Sequence, residues 1–291
     1  MRLALRRCVL LLVLGGALNA CNGPAVSIPF SEPAAAVVDG HDISMKAYQA
    51  RLEVSRHRDP FLGIPEAIPS PVPSQRLEDF TIDQLVREEV IHLEAEKRGI
   101  TVSDHAVQSR IDTLRARAGG PGFAAALSRN GFTAGSFLAY QGALLTEVAL
   151  VTAMAKDRAG SAAHELQSGQ SFSSVAARWS DDAGTFARGG DVGWLRPADL
   201  PEPALATAVQ ALTAGTVSGM IRTDRGFTIA TVLERRADQV HLAVILVLAP
   251  TVDVFSPQGT PTWFTKFIDD RVAALRRDRK LAIKVGSHAG S

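Results

Sequence analysis

The sequence predicts an α+β fold in which a helical region is followed by a smaller region of short helices and strands. Between residues 76 and 157, apolar side chains recur at helical spacing in segments that are separated by glycine-containing breaks. After residue 161 the pattern changes to short helices, a glycine-rich loop and apolar runs of strand character up to about residue 250. This order differs from the regular strand–helix alternation of an α/β protein.

The composition is that of an ordinary globular protein and excludes some classes of function. The chain has 291 residues, of which 46% are hydrophobic, and its net charge is +1. Nucleic-acid-binding proteins carry a clustered basic excess, so we expect no nucleic-acid partner. We find no motif typical of a metal site, a phosphate-binding glycine loop or a nucleophile–base pair, and we therefore expect no cofactor and no metal.

The first 21 residues have the layout of a secretory signal peptide. The basic start MRLALRR precedes the apolar stretch CVLLLVLGGAL, which is shorter than the ~20 residues that a membrane-spanning helix needs. The stretch ends on LNAC, residues 18–21, which resembles the lipobox of bacterial lipoproteins, although Asn19 is unusual at its position.

Cys21 is therefore predicted to carry a lipid after the signal peptide is removed. No other cysteine follows it, so the mature chain cannot form an internal disulfide. Cleavage without lipid attachment and an uncleaved short anchor are the two alternatives. We expect a lipid-anchored protein of the bacterial cell envelope, outside the cytoplasm, with a linker at residues 22–33 that leads to the folded part.

The folded part begins with a predicted hairpin and a helix. Residues 34–44, AAAVVDGHDIS, predict two short strands with a turn at Asp39-Gly40, and Ser44 is expected to cap the following helix. The proline-rich stretch 59–75 cannot form regular structure. It is predicted to be a loop that crosses the surface, with a lid or docking segment as the alternative.

Four further helices are expected in this region. The clearest covers residues 76–98 and stops at Gly99, and the next is capped by Ser103. Two more are expected near 122–130 and 133–157.

The hairpin and the clearest helix resemble the N-terminal domain of SurA-like and PrsA-like foldases. The resemblance rests on Val37-Val38-Asp39-Gly40 and Ile43-Ser44 in the hairpin, and on AEKRGITVSD at the helix end. It covers residues 34–157 and implies a helical chaperone domain that holds unfolded polypeptides.

Residues 161–235 resemble a parvulin-type peptidyl-prolyl isomerase domain, and the whole predicted domain runs from 161 to 250. The resemblance implies a small domain with a four-stranded antiparallel sheet. The residues that carry it are Gly169, Phe172, Ala176, Ser180, Asp181, the Gly189-Gly190-Asp191-x-Gly193 turn, Leu212, Gly215, Val217-Ser218, Thr223, Gly226 and Phe227.

The stretch SDDAGTFARGGDVGWL, residues 180–195, is predicted to be a bent loop that leads into a short strand. Gly189, Gly190 and Gly193 permit positive φ angles and close backbone approach. Asp191 is expected to accept hydrogen bonds from nearby backbone amides. Most of this stretch therefore has a structural role.

The resemblance implies that Asp182 faces a bound prolyl peptide, whereas its residue type alone is equally consistent with a solvated turn carboxylate. Peptide-bond rotation has a barrier of ~18–20 kcal/mol. An apolar pocket that strips water from the amide and favours its twisted form lowers this barrier without a nucleophile. The residues that the resemblance assigns to the proline pocket are Val192, Leu200, Leu205, Phe227 and, beneath them, Thr223.

The sequence departs from the parvulin pattern at two central histidines. Thr228 stands where one of them belongs and is kept with Asp182 as a candidate catalytic position. The strand that carries the other is missing before residue 161, but AVILVLAP resembles it, with Val244 at the histidine position. We hypothesise that residues 240–249 form a permuted strand that closes the sheet after a hairpin. His241 is expected to be a surface or loop-end residue.

The C-terminal segment, residues 260–286, predicts a helix followed by a short strand. By resemblance it returns to the N-terminal domain, and Leu281–Val285 is expected to pair with Ala35–Val38.

Two main functional hypotheses follow. The first is a membrane-anchored foldase outside the cytoplasm, with weak parvulin-type peptidyl-prolyl cis–trans isomerase activity on exported proteins. The second is a catalytically degraded parvulin fold that serves as a client-binding chaperone or as an envelope scaffold.

Overall fold

A computed structural model of the chain shows an α+β fold, as the sequence predicted. The predicted signal peptide with Cys21, most of the linker and nearly all of the proline-rich loop lie outside the described part. The residues that the structure describes are 32–57, 74–249, 251–252 and 260–288.

The helices and strands of this part are numbered in chain order. The helices are α1 (Met45–Arg56), α2 (Ser74–Lys97), α3 (Asp104–Ala118), α4 (Gly120–Arg129), α5 (Ala134–Gln167), α6 (Phe172–Trp179), α7 (Pro203–Ala211) and α8 (Thr262–Arg277). The strands are β1 (Ala34–Val38), β2 (His41–Ser44), β3 (Asp191–Leu195), β4 (Ile221–Arg222), β5 (Gly226–Arg236), β6 (Gln239–Leu248) and β7 (Leu281–Ile283).

The hairpin at the start of the described part is completed by the C-terminal strand. The sheet order is β2-β1-β7, and both pairings are antiparallel. Val38 lies opposite Leu281, and Ala36 lies opposite Ile283. The pairing expected for the C-terminal strand is therefore present, and the two ends of the described chain are joined by backbone hydrogen bonds.

Helices α1, α2, α5 and α8 surround this small sheet and share one apolar core with it. Ser44 Oγ accepts a hydrogen bond from Ala47 N–H at 3.1 Å, and Ser103 Oγ accepts one from Ala106 N–H at 3.2 Å, so both predicted caps are confirmed. The fully buried large side chains of this core include Ile82, Val86, Leu150, Phe264 and Ile268.

Helix α5 is longer than the sequence predicted. We expected one helix to end at residue 157 and another to begin at 161, but α5 continues unbroken through 34 residues to Gln167. Gly160 is a weak helix breaker that costs about 1 kcal/mol relative to Ala. Tight packing outweighs this cost, because Ala155, Ala159 and Ala162 are completely buried.

By length and composition alone, α5 could also cross a membrane, with a mean hydropathy of 1.4 over its most apolar window. Core helices of soluble proteins pass the same test. Here α5 packs against α2, α3 and the second sheet, while 22% of its most apolar window is buried.

The second sheet has four antiparallel strands in the order β3-β6-β5-β4, so β3 and β4 are its edges. Strands β5 and β6 form a long hairpin in which Phe227 lies opposite Val247 and Val232 lies opposite Leu242. Side chains alternate between the two faces. Ile229 and Ile245 face α5 and α6, whereas Ala230, Val232, Leu242 and Val244 face α7.

Candidate functional site

The loop predicted from residues 180–195 bends as its glycines suggested. Gly189, Gly190 and Gly193 have φ angles of 68°, 84° and 91°. A Cβ atom on Gly190 would lie 2.4 Å from the carbonyl oxygen of Val244. Gly190 thus lets the loop lie directly against β6 before the chain enters β3.

Asp191 fixes the start of β3 through two contacts. Its Oδ1 accepts a hydrogen bond from Gly193 N–H at 2.8 Å, as predicted, and lies 2.8 Å from His241 Nε2. Partial burial acts to raise the pKa of Asp191, but these hydrogen bonds hold it below its ordinary value.

His241 was expected to be a surface or loop-end residue; it lies within a strand and its side chain is partly exposed. It is the third residue of β6, it lies opposite Trp194, and the two rings stack at 5.3 Å. The side chain is only 24% exposed because Asp191 and Trp194 cover it.

The adjacent carboxylates Asp181 and Asp182 have different surroundings. Asp181 Oδ2 accepts hydrogen bonds from Leu248 N–H at 2.9 Å and from Trp263 Nε1–H at 3.0 Å. Burial raises the pKa of Asp181, although these bonds and the Arg158 guanidinium act in the opposite direction. Asp181 therefore connects the sheet to α8, while Asp182 lines a cleft on the α7 side of the sheet.

This cleft has a volume of about 160 Å³, room for several water molecules. It brings together five of the predicted site residues, namely Asp182, Val192, Leu200, Leu205 and Thr228. The other residues that line it are Thr185, Pro201, Glu202, Arg225, Leu242, Val244 and Leu246.

Two residues assigned to the proline pocket do not line the cleft. Phe227 precedes Thr228 in β5, so its side chain points to the opposite face of the sheet and joins the helical core. Thr223 is buried in the turn between β4 and β5, where its N–H donates to the Gly226 carbonyl at 2.8 Å. The expectation for these two residues is corrected accordingly.

Asp182 is held in place by neighbours that the sequence did not reveal. Thr185 Oγ1 donates a hydrogen bond to Asp182 Oδ2 at 2.5 Å, and Arg225 Nη2 lies 3.5 Å from Asp182 Oδ1. The Asp182 carboxylate is 21% exposed, so it remains accessible from the cleft.

Glu202 adds a second acidic group to the wall. Its Oε1 is buried and accepts no hydrogen bond from any residue that the structure describes. The floor of the cleft is apolar, because Leu242, Val244 and Leu246 all point to this face of β6. An apolar floor with a carboxylate at its edge suits an apolar ring attached to a polar backbone.

Among the described residues, no three His, Cys, Asp or Glu side chains lie together in a way that could hold a metal ion.

Two family models match the chain. Residues 145–234 match the PPIC-type PPIase domain, also called rotamase. Residues 10–137 match the SurA-like N-terminal domain.

Curated relatives are similar to parts of the chain. The chaperone SurA of Chromohalobacter salexigens is 30% identical over 113 residues, which cover 39% of this chain and 23% of that protein. The chaperone SurA of Alkalilimnicola ehrlichii is 37% identical over 82 residues, which cover 28% and 19%. The matched region thus spans less than a quarter of the length of either relative.

Among solved structures, the foldase protein PrsA from Lactococcus lactis is 15% identical and is matched over 89% of this chain and 97% of that chain. Its TM-score of 0.33 is too low to support an argument from structure. The family models show that the chain carries a region similar to the PPIC-type (parvulin-type) domain behind a region similar to the SurA-like N-terminal domain, and the curated chaperones SurA are similar to part of the chain.

Proposed function

We propose that the chain is a membrane-anchored foldase outside the cytoplasm that catalyses peptidyl-prolyl cis–trans isomerisation on exported proteins, with weak activity. The observation that carries this proposal is the cleft, in which Asp182 lies at the edge of an apolar floor beside Val192, Leu200 and Leu205.

The physical argument concerns the charge distribution of the prolyl amide. In the planar amide, conjugation places partial negative charge on the carbonyl oxygen, and water stabilises that charge. An apolar cleft removes this water, and a carboxylate such as Asp182 near the oxygen repels its charge. Both effects disfavour the planar form relative to the twisted form in which conjugation is lost, and so lower the barrier of ~18–20 kcal/mol.

The expected weakness of the activity follows from the central strands. Thr228 and Val244 occupy the two positions where the parvulin resemblance expects histidine, and both line the cleft. No histidine is among its lining residues in the described part of the chain. Without imidazoles, the side chains seen to hold the Asp182 carboxylate among the described residues are Thr185 and Arg225, so its hydrogen-bond network is smaller than one that includes histidines.

Replacing Asp182 by Ala is expected to lower kcat/KM for a prolyl tetrapeptide at least about tenfold, which corresponds to about 1.4 kcal/mol of transition-state stabilisation. The measurement is a protease-coupled isomerisation assay at several enzyme concentrations. Asp199→Ala is the matched control, since this carboxylate lies on the neighbouring loop, is 53% exposed and does not line the cleft.

Two results would contradict the isomerase proposal. One is a wild-type rate equal to that of buffer. The other, which would contradict the role of Asp182 in the proposal and not the activity itself, is a measurable rate that survives in Asp182→Ala while the melting temperature of this variant equals that of the wild type.

A second candidate is a client-binding chaperone, or an envelope scaffold, in which the parvulin fold no longer catalyses. The replacement of both family histidines by Thr228 and Val244 favours it. This candidate predicts that the wild type suppresses the aggregation of an unfolded client and that Asp182→Ala suppresses it equally well.

We also propose that β6 takes the place of the missing first strand of the family. Two observations support this idea. The match to the PPIC-type domain stops at residue 234, before β6 begins. Strand β6 nevertheless lies in the middle of the sheet, between β3 and β5. The strand thus follows the family domain in sequence while it occupies a central position in space.

Lipid attachment at Cys21 is the basis of the proposed membrane location. Expression of the full chain in a bacterial host is expected to give a mature protein that begins at Cys21 and carries the mass of a diacylglyceryl group, with or without a further acyl chain. Mass spectrometry of the N-terminal peptide measures this. Cys21→Ala should remain unprocessed, and an unmodified mature N terminus in the wild type would exclude the anchor.

A further inference from the structure

A groove of about 530 Å³ lies in the helical region and has no part in the cleft described above. Its walls come from β2 and the start of α1 on one side and from α2, α3 and α5 on the others. The lining residues are Asp42, Ile43, Ser44, Ala47, Leu85, Glu88, Glu89, His92, Val102, Asp104, Val107, Leu138, Ala139, Gly142, Ala143 and Thr146.

The floor and one wall of the groove are apolar. Ile43 and Val107 are buried beneath it, while Leu138 is 44% exposed on the α5 side. The neighbouring α5 positions Gly142 and Ala143 are small, so the wall is low there and side chains of a bound segment have room to enter. When an apolar side chain of a bound segment fills this hollow, the exposed leucine beside the hollow is removed from water. The loss of water-exposed apolar area favours binding.

The rim of the groove is acidic. Four carboxylates line it, those of Asp42, Glu88, Glu89 and Asp104, and neither Lys nor Arg is among the lining residues in the part of the chain that the structure describes. The guanidinium of Arg51 forms two hydrogen bonds with Glu88, at 2.6 and 2.9 Å. Glu89 Oε1 lies 3.5 Å from His41 Nδ1. Arg51 offsets the charge of Glu88, so the negative charge of the lining comes from Asp42, Glu89 and Asp104.

Glu147 on α5 does not line the groove but is close enough to Glu88 to be affected by its charge. Burial and the negative charge of Glu88 raise the pKa of Glu147 to about 7, and the nearby Arg87 only partly opposes this.

We propose that this groove binds polypeptide segments in which apolar side chains are flanked by lysine or arginine. The apolar side chains fill the hollow beside Leu138, and the basic side chains lie over the acidic rim. This deepens the client-binding function proposed above, and rests on it, by naming the place and the class of client segment.

The charges at the rim are expected to decide which polypeptide segments bind, and to contribute less to the affinity than the apolar contacts do. Exposed ion pairs contribute little individually, and salt screens them over about 8 Å at physiological ionic strength. Two rim carboxylates are therefore expected to change affinity for a basic segment by about three- to tenfold at low salt. Removal of the apolar contact should lower the affinity for every segment.

The first experiment measures the binding of labelled peptides to the full chain by fluorescence anisotropy. One peptide contains leucines and alanines flanked by lysines, the second carries glutamates in place of the lysines, and neither contains proline. The double variant Asp42→Asn/Glu89→Gln removes two rim charges. Asp112→Asn/Asp157→Asn makes the same charge change on exposed positions that do not line the groove.

We expect the lysine peptide to bind the wild type at least tenfold more tightly than the glutamate peptide at 50 mM NaCl. The rim variant should lose three- to tenfold in affinity for the lysine peptide, and the control variant should lose less than twofold. At 500 mM NaCl, the difference in affinity between the two variants should be smaller. Equal binding of both peptides, or equal loss in both double variants, would overturn the proposal.

The second experiment tests the apolar wall. Leu138→Asp is expected to weaken binding of the lysine peptide at least tenfold, while Leu233→Asp, at a position on β5 with a similar exposure of 42%, should not. If instead the wild type is a dimer and Leu138→Asp makes it monomeric, the occupant is a second copy of the chain and the proposal is wrong.

These results can be separated from failure of the isomerase proposal. The peptides contain no proline, so their binding does not depend on the cleft. The tetrapeptide isomerisation rate of the groove variants should equal that of the wild type.

Discussion

Replacing Phe264 by Ala is expected to lower the free energy of unfolding by about 3–5 kcal/mol. Phe264 is completely buried in the core that α8 shares with α2 and β1. Its ring also makes an edge-on contact with Trp263 at 5.8 Å. Truncation leaves a cavity in a core that the hairpin strands, the long helices and the C-terminal helix build together. Urea denaturation followed by circular dichroism measures the change.

Phe186→Ala is the matched control, because this phenylalanine is 42% exposed in the loop before β3. Its loss should cost less than about 1 kcal/mol. Equal denaturation midpoints for Phe264→Ala and the wild type would mean that α8 does not stabilise the helical region. The inference that the helical region depends on α8 and β7 for its stability would then be wrong as well.

The features that could be predicted from the sequence are those set by residues close to one another along the chain. The caps at Ser44 and Ser103 follow from a hydroxyl that precedes a helical pattern. The β5–β6 hairpin follows from two apolar runs separated by a short polar turn. The positive φ angles of the 189–193 turn follow from its glycines.

The continuity of α5 could not be predicted because it depends on tertiary packing. The low helix propensity of Gly160 favours a break in the helix. The resemblance to the parvulin-type domain begins at residue 161, which also suggested that one helix ends and another begins there. The alanines that surround Gly160 are completely buried, on one side against the helical core and on the other against the sheet. Burial on both sides outweighs the local preference.

Only some of the residues that line the cleft were predicted from the sequence. The resemblance named Asp182 and four residues that line the cleft with it, but it also named Phe227, one position away from Thr228. A shift of one residue moves a strand side chain to the other face of the sheet. Thr185, Glu202 and Arg225 carry no sequence signal, because only the folded chain brings them to Asp182.

Gly190→Ala is expected to destabilise the protein by about 2–5 kcal/mol and to abolish the cleft. The φ angle of 84° costs a side-chain-bearing residue about 1–2 kcal/mol. The new Cβ would lie 2.4 Å from the carbonyl oxygen of Val244, so the loop must move away from β6. That movement breaks the 2.9 Å hydrogen bond from Val244 N–H to the Gly190 carbonyl. Thermal and urea denaturation measure the loss.

Gly193→Ala separates the two contributions, since Gly193 has a similar φ of 91° but no atom within 4 Å of an added Cβ. It should therefore cost only the conformational term, about 1–2 kcal/mol. A larger loss for Gly190→Ala would show that contact between the loop and β6 supports the wall that carries Asp182. Equal losses for the two variants would contradict this, because backbone conformation alone would then explain both.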